Sequence, residues 1–202
     1  MKPFIFLLTL FAFSSCSTEV QKIETIDPKA IALNDSAVKL WMTFKPGSLD
    51  SAHILLDKSI AIEPDYFIAY GNKVNIYRHQ RNFVKAAETA RHLERIQPQN
   101  AEGIFGLGFL LEKIGKREES EEKYKRALSL NEKKLKDLDL KDKTYLAIQT
   151  NYALNLIFAH REEEGRQELD KVLAIDPNQP GAKMLHNKSR NEIMETLLIG
   201  KN

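Results

Sequence analysis

An all-α fold of repeated helix pairs is predicted by three observations. Turn formers are scarce, with 9 Gly and 7 Pro in 202 residues, which leaves little to separate short strands. Apolar residues recur at helical spacing through most of the chain. The third observation is repetition: SIAIEPDY (59–66), HLERIQPQN (92–100), ALSLNEKK (127–134) and VLAIDPNQ (172–179) close successive units alike. Pro98 follows Pro64 by 34 residues, Glu132 stands 34 further on, and Pro177 comes 45 after that. The units are therefore 33–66, 67–100, 101–145 with an insertion of eleven residues, and 146–179, an array over 31–178.

The chain starts differently. Met1-Lys2 is a short positive stretch, and Pro3 to Phe13 is an apolar run of eleven residues. As a helix that run spans about 16 Å, too short for a hydrocarbon core of about 30 Å. It reads as an export signal and is set apart from the fold. Ser14, Ser15 and Cys16 follow it, and Cys16 is the only cysteine of the chain. An apolar run followed by small, small, Cys resembles the lipobox of bacterial lipoproteins, with Phe13 where Leu is usual. The resemblance implies a signal peptide over 1–15, cleavage before Cys16, and acylation of its thiol with diacylglycerol and palmitate. The other reading makes Cys16 one more residue of an ordinary secretory signal. Residues 16–30 are polar with a proline and read as a tether. Val20, Ile23 and Ile26, spaced by three, leave a short helix there as the alternative.

Each unit repeats one set of positions. In AEGIFGLGFLLEKIGKREESEEKYKRALSLNE, the set is Leu107-Gly108, Leu111, Gly115, Ser120, Tyr124 and Ala127-Leu128. Small residues let two helix backbones approach, and large ones fill the grooves at the crossing. The first unit has Gly47, Ala52, Leu56 and Ile60; the second has Tyr70, Val74, Tyr77, Phe83, Ala86 and Leu93. The fourth has Tyr152-Ala153, Leu156, Leu169 and Val172-Leu173, with Gly165 at the small-residue slot. Gly inside a helix costs about 1 kcal/mol, so a loose start to that helix is expected. The insertion KKLKDLDLKDK (133–143) prolongs the third unit's second helix before a polar connector. Residues 180–202 supply a C-terminal capping helix in which Leu185, Ile193, Leu197 and Leu198 form one stripe.

The period and these residues resemble the tetratricopeptide repeat (TPR) family. The resemblance implies an α-solenoid of about four helix-turn-helix repeats whose first helices line a concave, partner-binding groove. Carried over position by position, it places Trp41, Phe44, Asn72, Asn75, Arg78, Phe105, Phe109, Lys113 and Asn151 on that groove, with Phe105 and Phe109 exposed. The family's clamp for free C-terminal carboxylates needs basic residues and asparagines where this chain has Ala37, Trp41, Asn72, Glu102 and Gly106. Only Asn72 matches, so that ligand class is set aside.

Catalytic chemistry finds no footing. The five histidines are dispersed, and the sequence has no HExxH, P-loop, GxGxxG or GxSxG pattern. The charged run KREESEEKYKR (116–126) reads as a solvated helix face, with Glu119/Lys123, Glu121/Lys125 and Glu122/Arg126 paired along the helix. A net charge of +2 gives no concentrated basic face for nucleic acid. The expectation is a non-enzymatic adaptor in the bacterial cell envelope, held on a membrane by its N-terminal lipid. It binds protein or peptide partners and takes no cofactor, metal, nucleic acid or small-molecule substrate. A freely secreted binding module, or a non-catalytic subunit of an extracytoplasmic enzyme complex, are the alternatives.

Overall fold

The computed structural model describes residues 26–199 except 44 and 46. The signal segment, Cys16, most of the tether and Phe44 lie outside the described residues. Within them the chain forms α1 (Pro28–Trp41), α2 (Ser48–Ile62), α3 (Phe67–His79), α4 (Phe83–Ile96), α5 (Ala101–Lys113), α6 (Arg117–Lys136), α7 (Tyr145–Phe158), α8 (Glu162–Ile175), α9 (Pro180–Leu185) and α10 (Arg190–Ile199). The first eight form four consecutive antiparallel pairs, and the array is a TPR-type α-solenoid. No described helix is long and apolar enough to cross a membrane.

One backbone device recurs at the hairpin turns. Gly47, Arg81, Gly115 and His160 adopt positive φ, at 75°, 55°, 79° and 61°. They follow the same spacing as the prolines, including the insertion. Past the left-handed residue, the N–H groups of Asn82, Lys116 and Arg161 donate to the carbonyls of Tyr77, Leu111 and Leu156 at 2.8, 2.9 and 2.9 Å. This closes the last turn of α3, α5 and α7 on carbonyls that would otherwise lack partners. Glycine was readable at two of the four turns; Arg81 and His160 hide the other two.

Small residues sit where the helices cross. Ala52, Ala86 and Ala153 are fully buried. A Cβ on Gly108 would stand 3.0 Å from the Tyr124 ring and 3.1 Å from the Cβ of Lys123. Gly165 is tighter still, since its Cβ would meet the Ala153 carbonyl oxygen and Ile157 Cγ1 at 2.7 Å. The expectation of a loose start to α8 is thus corrected, because the missing side chain lets α8 press against α7.

Three further expectations change. The tether's helical end comes earlier than residue 30, because Asp27 accepts the Lys29 N–H at 2.7 Å and Pro28 occupies the first turn. Three charges of α6 expected to pair along it, Glu119, Lys123 and Arg126, reach across to α4. Lys123 and Arg126 both meet Glu94 of α4, at 2.8 and 2.6 Å, and Glu119 takes Arg91 as well as Lys116. Glu94 is largely shielded from water, so it attracts cations more strongly than an exposed partner within α6 does. The C-terminal cap is two helices. Ser189 and Glu192 bond each other's backbone N–H groups, at 2.7 Å to Glu192 and 3.3 Å to Ser189, a capping box that starts α10 afresh.

Two apolar clusters result. One joins α1, α2 and α3 around Leu56, Tyr66 and Ile76. The other runs from α3 to α10 through Leu107, Leu111, Tyr124, Phe158 and Ile193.

Candidate functional site

The concave side of α3, α5 and α7 holds a cleft of about 580 Å³. Its walls include Val74, Leu93, Phe105, Phe109 and Leu154, with Leu197 of α10 at one edge. Asn75, Asn100, Glu102, Asn151 and Asn155 supply polar groups. Toward the start of α3 the cleft continues into a hollow of about 240 Å³ beside Phe67, Ile68 and Asn72. Phe67 and Ile68 are exposed there.

Backbone geometry makes this surface unusually bare. Gly71 in α3 and Gly106 in α5 line the cleft, and nothing lies within 4 Å of where their Cβ atoms would be. Unlike Gly165, they answer to no packing partner. What they leave is helix backbone open to the groove.

The polar groups divide into those used and those left over. Asn72 donates to Asn34 Oδ1 at 2.7 Å, Arg78 donates to Asn75 Oδ1 at 3.3 Å, and Asn151 donates to Glu102 Oε1 at 2.8 Å. Asn131 of α6 and Asn155 of α7 line the cleft at 4% and 1% exposure, and the Nδ2 of each is buried with no protein partner. Unpaired buried donors cost about 1–3 kcal/mol each. Burial lowers the pKa of Arg78 from the ordinary arginine value.

Several candidates occupy other surroundings. Trp41 packs in the α1–α3 cluster, edge-on to His79 with centroids 5.2 Å apart, and is not part of the cleft wall. Phe109 is 4% exposed, and Phe105 packs against Tyr124 and Phe158 at 5.3 and 5.1 Å. Both line the cleft, but the expectation that they are exposed is corrected for Phe109, which is buried, while Phe105 is half-buried. Lys113 lies outside the cleft, 3.7 Å from Glu195 of α10.

The groove's far end is where α10 sits. Arg190 donates to both carboxylate oxygens of Glu112, at 2.9 and 2.8 Å, and its guanidinium lies 4.6 Å over the Phe158 ring. Tyr124 donates to the same carboxylate at 2.8 Å. Burial alone would raise the pKa of Glu112, but the hydrogen bonds from Arg190 and Tyr124 and the charge of Arg190 bring it below the ordinary carboxylate value. Burial together with Glu112 pushes the Tyr124 hydroxyl well up. Arg78 donates to the Leu197 carbonyl. Sequence reasoning missed Asn131, Asn155 and α10's placement; the only local signal was an asparagine on an apolar face. Among the described residues no group of three His, Cys, Asp or Glu side chains is placed to hold a metal.

Helix pairs stacked around such a groove define a TPR solenoid, and solved structures agree. PilW, a widely conserved type IV pilus biogenesis factor, is similar with a TM-score of 0.54 at 17% identity, over 87% of this chain and 80% of that one. PilF of Pseudomonas aeruginosa gives 0.52 at 16%, over 84% and 72%. YrrB, described as a TPR protein with an unusual peptide-binding site, gives 0.50 at 17%, over 84% of each chain. The sequence matches no family model and no curated protein.

Proposed function

We propose that this chain is a membrane-tethered adaptor of the bacterial cell envelope, non-enzymatic, that holds a protein partner in its concave groove. The observation that carries the reading is the pair of bare helix backbones at Gly71 and Gly106, flanked by apolar walls and by the unpaired amides of Asn131 and Asn155. Such a surface lets a polypeptide approach closely and bury apolar side chains. The peptide-binding site described for YrrB and the pilus role described for PilW support the same class of task. The apolar run ending at Ser14-Ser15-Cys16 supports the tether, since acyl chains contribute about 0.8 kcal/mol per buried CH₂.

Cross-linked affinity purification from native membranes tests both halves of the reading. Gly71→Leu with Gly106→Leu fills the groove from positions with open space, so partners are lost while the fold persists. Cys16→Ser releases the chain from membranes and loses partners confined there. Partners kept by the groove variant would contradict the adaptor reading, and a Cys16→Ser chain that stays in membranes would contradict the tether.

A further inference from the structure

The array's end is already covered without α10. Ala182 and Leu185 of α9 are buried in the larger cluster, and Arg166 of α8 donates to the carbonyls of His186 and Lys188 at 2.9 and 3.0 Å. These contacts close the last repeat and fix the connector. The chain then turns back and lays α10 across the concave face, toward α3 and α5.

What α10 presents there has the form of a ligand. Arg190 grips Glu112, Ile193 and Met194 are buried, and Leu197 lines the cleft. These positions are i, i+3, i+4 and i+7, one face of a helix, the pattern by which an amphipathic helix anchors in a groove. Glu195 faces Lys113, and Arg78 donates to the Leu197 carbonyl. That carbonyl belongs to the last turn, where any helix offers acceptors without internal partners.

We propose that α10 is an internal placeholder for a partner's amphipathic helix, one that carries a basic residue followed by apolar residues three, four and seven positions later. The inference rests on the reading of the groove as a partner site and names the kind of partner for its closed end. Two features make α10 replaceable. Ten residues are too few to hold a helix in water without packing. Its sole described covalent tie to the array is the non-helical stretch from His186 to Ser189. A partner helix therefore competes with a local concentration of α10 and not with the fold.

The test uses the full chain and a fluorescein-labelled, amidated peptide of residues 189–199, SRNEIMETLLI, followed by anisotropy. In the wild type the chain's own α10 competes. In a variant with Ile193→Asp and Leu197→Asp it is released, and the peptide binds about tenfold tighter or more, as the competent fraction rises. Arg190→Glu in the chain releases α10 by a second route that leaves its apolar face intact, so the reading survives if the first variant misfolds. Glu112→Lys on a released background removes peptide binding, and a peptide with Arg190→Glu restores it. Equal binding by wild type and released chains, or none by released chains whose repeats melt normally, overturns the proposal. So does a released chain that dimerises by exchanging helices, since the occupant is then a second copy. Membrane partners lost on filling the groove yet indifferent to releasing α10 would sink this inference and spare the adaptor reading. Partners indifferent to both would sink the adaptor reading itself.

Discussion

The two ends of the groove are built from opposite ends of the same helices, α3 and α5, yet are solvated differently. At the open end, Gly71, Asn72 and Asn75 of α3 face Asn100 and Gly103 across a hollow edged by exposed Phe67 and Ile68. At the closed end, Arg78 and Glu112 are bonded to α10 and Phe109 is buried. A position in a helical repeat sets which way a side chain points. Whether water reaches it is decided by whatever the rest of the chain lays over it.

The sharpest way to break this contrast is to delete side chains at the closed end. Phe109→Ala removes a buried aromatic ring and should cost about 3–5 kcal/mol, read as a fall in the thermal midpoint. Replacing Phe105 and Phe109 together therefore lowers stability as well as binding. A midpoint unchanged by Phe109→Ala would mean that the ring is not part of the core.

Next in size is a glycine between helices. Gly165→Ala drives a Cβ to within 2.7 Å of the Ala153 carbonyl oxygen, and overpacking of this kind costs about 1–3 kcal/mol. The same change in the groove should have the opposite sign.

A third prediction concerns acid. Glu112 faces Arg190 of α10, Tyr124, Arg117 and Glu121 of α6, and His160 at the turn after α7. Its folded pKa lies below the ordinary 4.5, so its contribution is present above 4.5 and is lost as pH falls through the folded value. The methyl resonances of Ile193 and Met194 should move toward the released state in that window, while those of Ala86 and Ala153 stay in place. No selective change in acid would remove Glu112 as the anchor of α10.

The smallest effect is stabilising. Gly71→Ala and Gly106→Ala fill open space and regain helix propensity, so each should add up to about 1 kcal/mol, measured by urea titration. Destabilisation by either would show that the groove backbone is already in contact with something.

How much of this was legible follows from the range of the interactions involved. The helix pairs follow from the 34-residue spacing and from small residues at crossings, both local signals. The start of α1 at Asp27-Pro28 and the break before α10 at Ser189 were readable as caps, and their signals were written in single residues easily passed over. The role of Gly165 depends on what stands opposite it in α7, which no propensity reports. The fate of Arg78 was beyond sequence reading, since its partner Leu197 lies 119 residues away. So too were Lys123 and Arg126, whose i,i+4 partners lost to Glu94 of a different helix.

Hydrogen exchange on the intact chain tests most directly whether the groove has a replaceable half. If α10 opens on its own, the amides of its described residues exchange about a hundredfold or more faster than those in the middle of α5 and α7. Exchange there should slow when the array is given an occupant only if that occupant leaves α10 in place. Protection of α10 equal to that of α5, lost only with global unfolding, would make it an integral part of the solenoid and contradict the account.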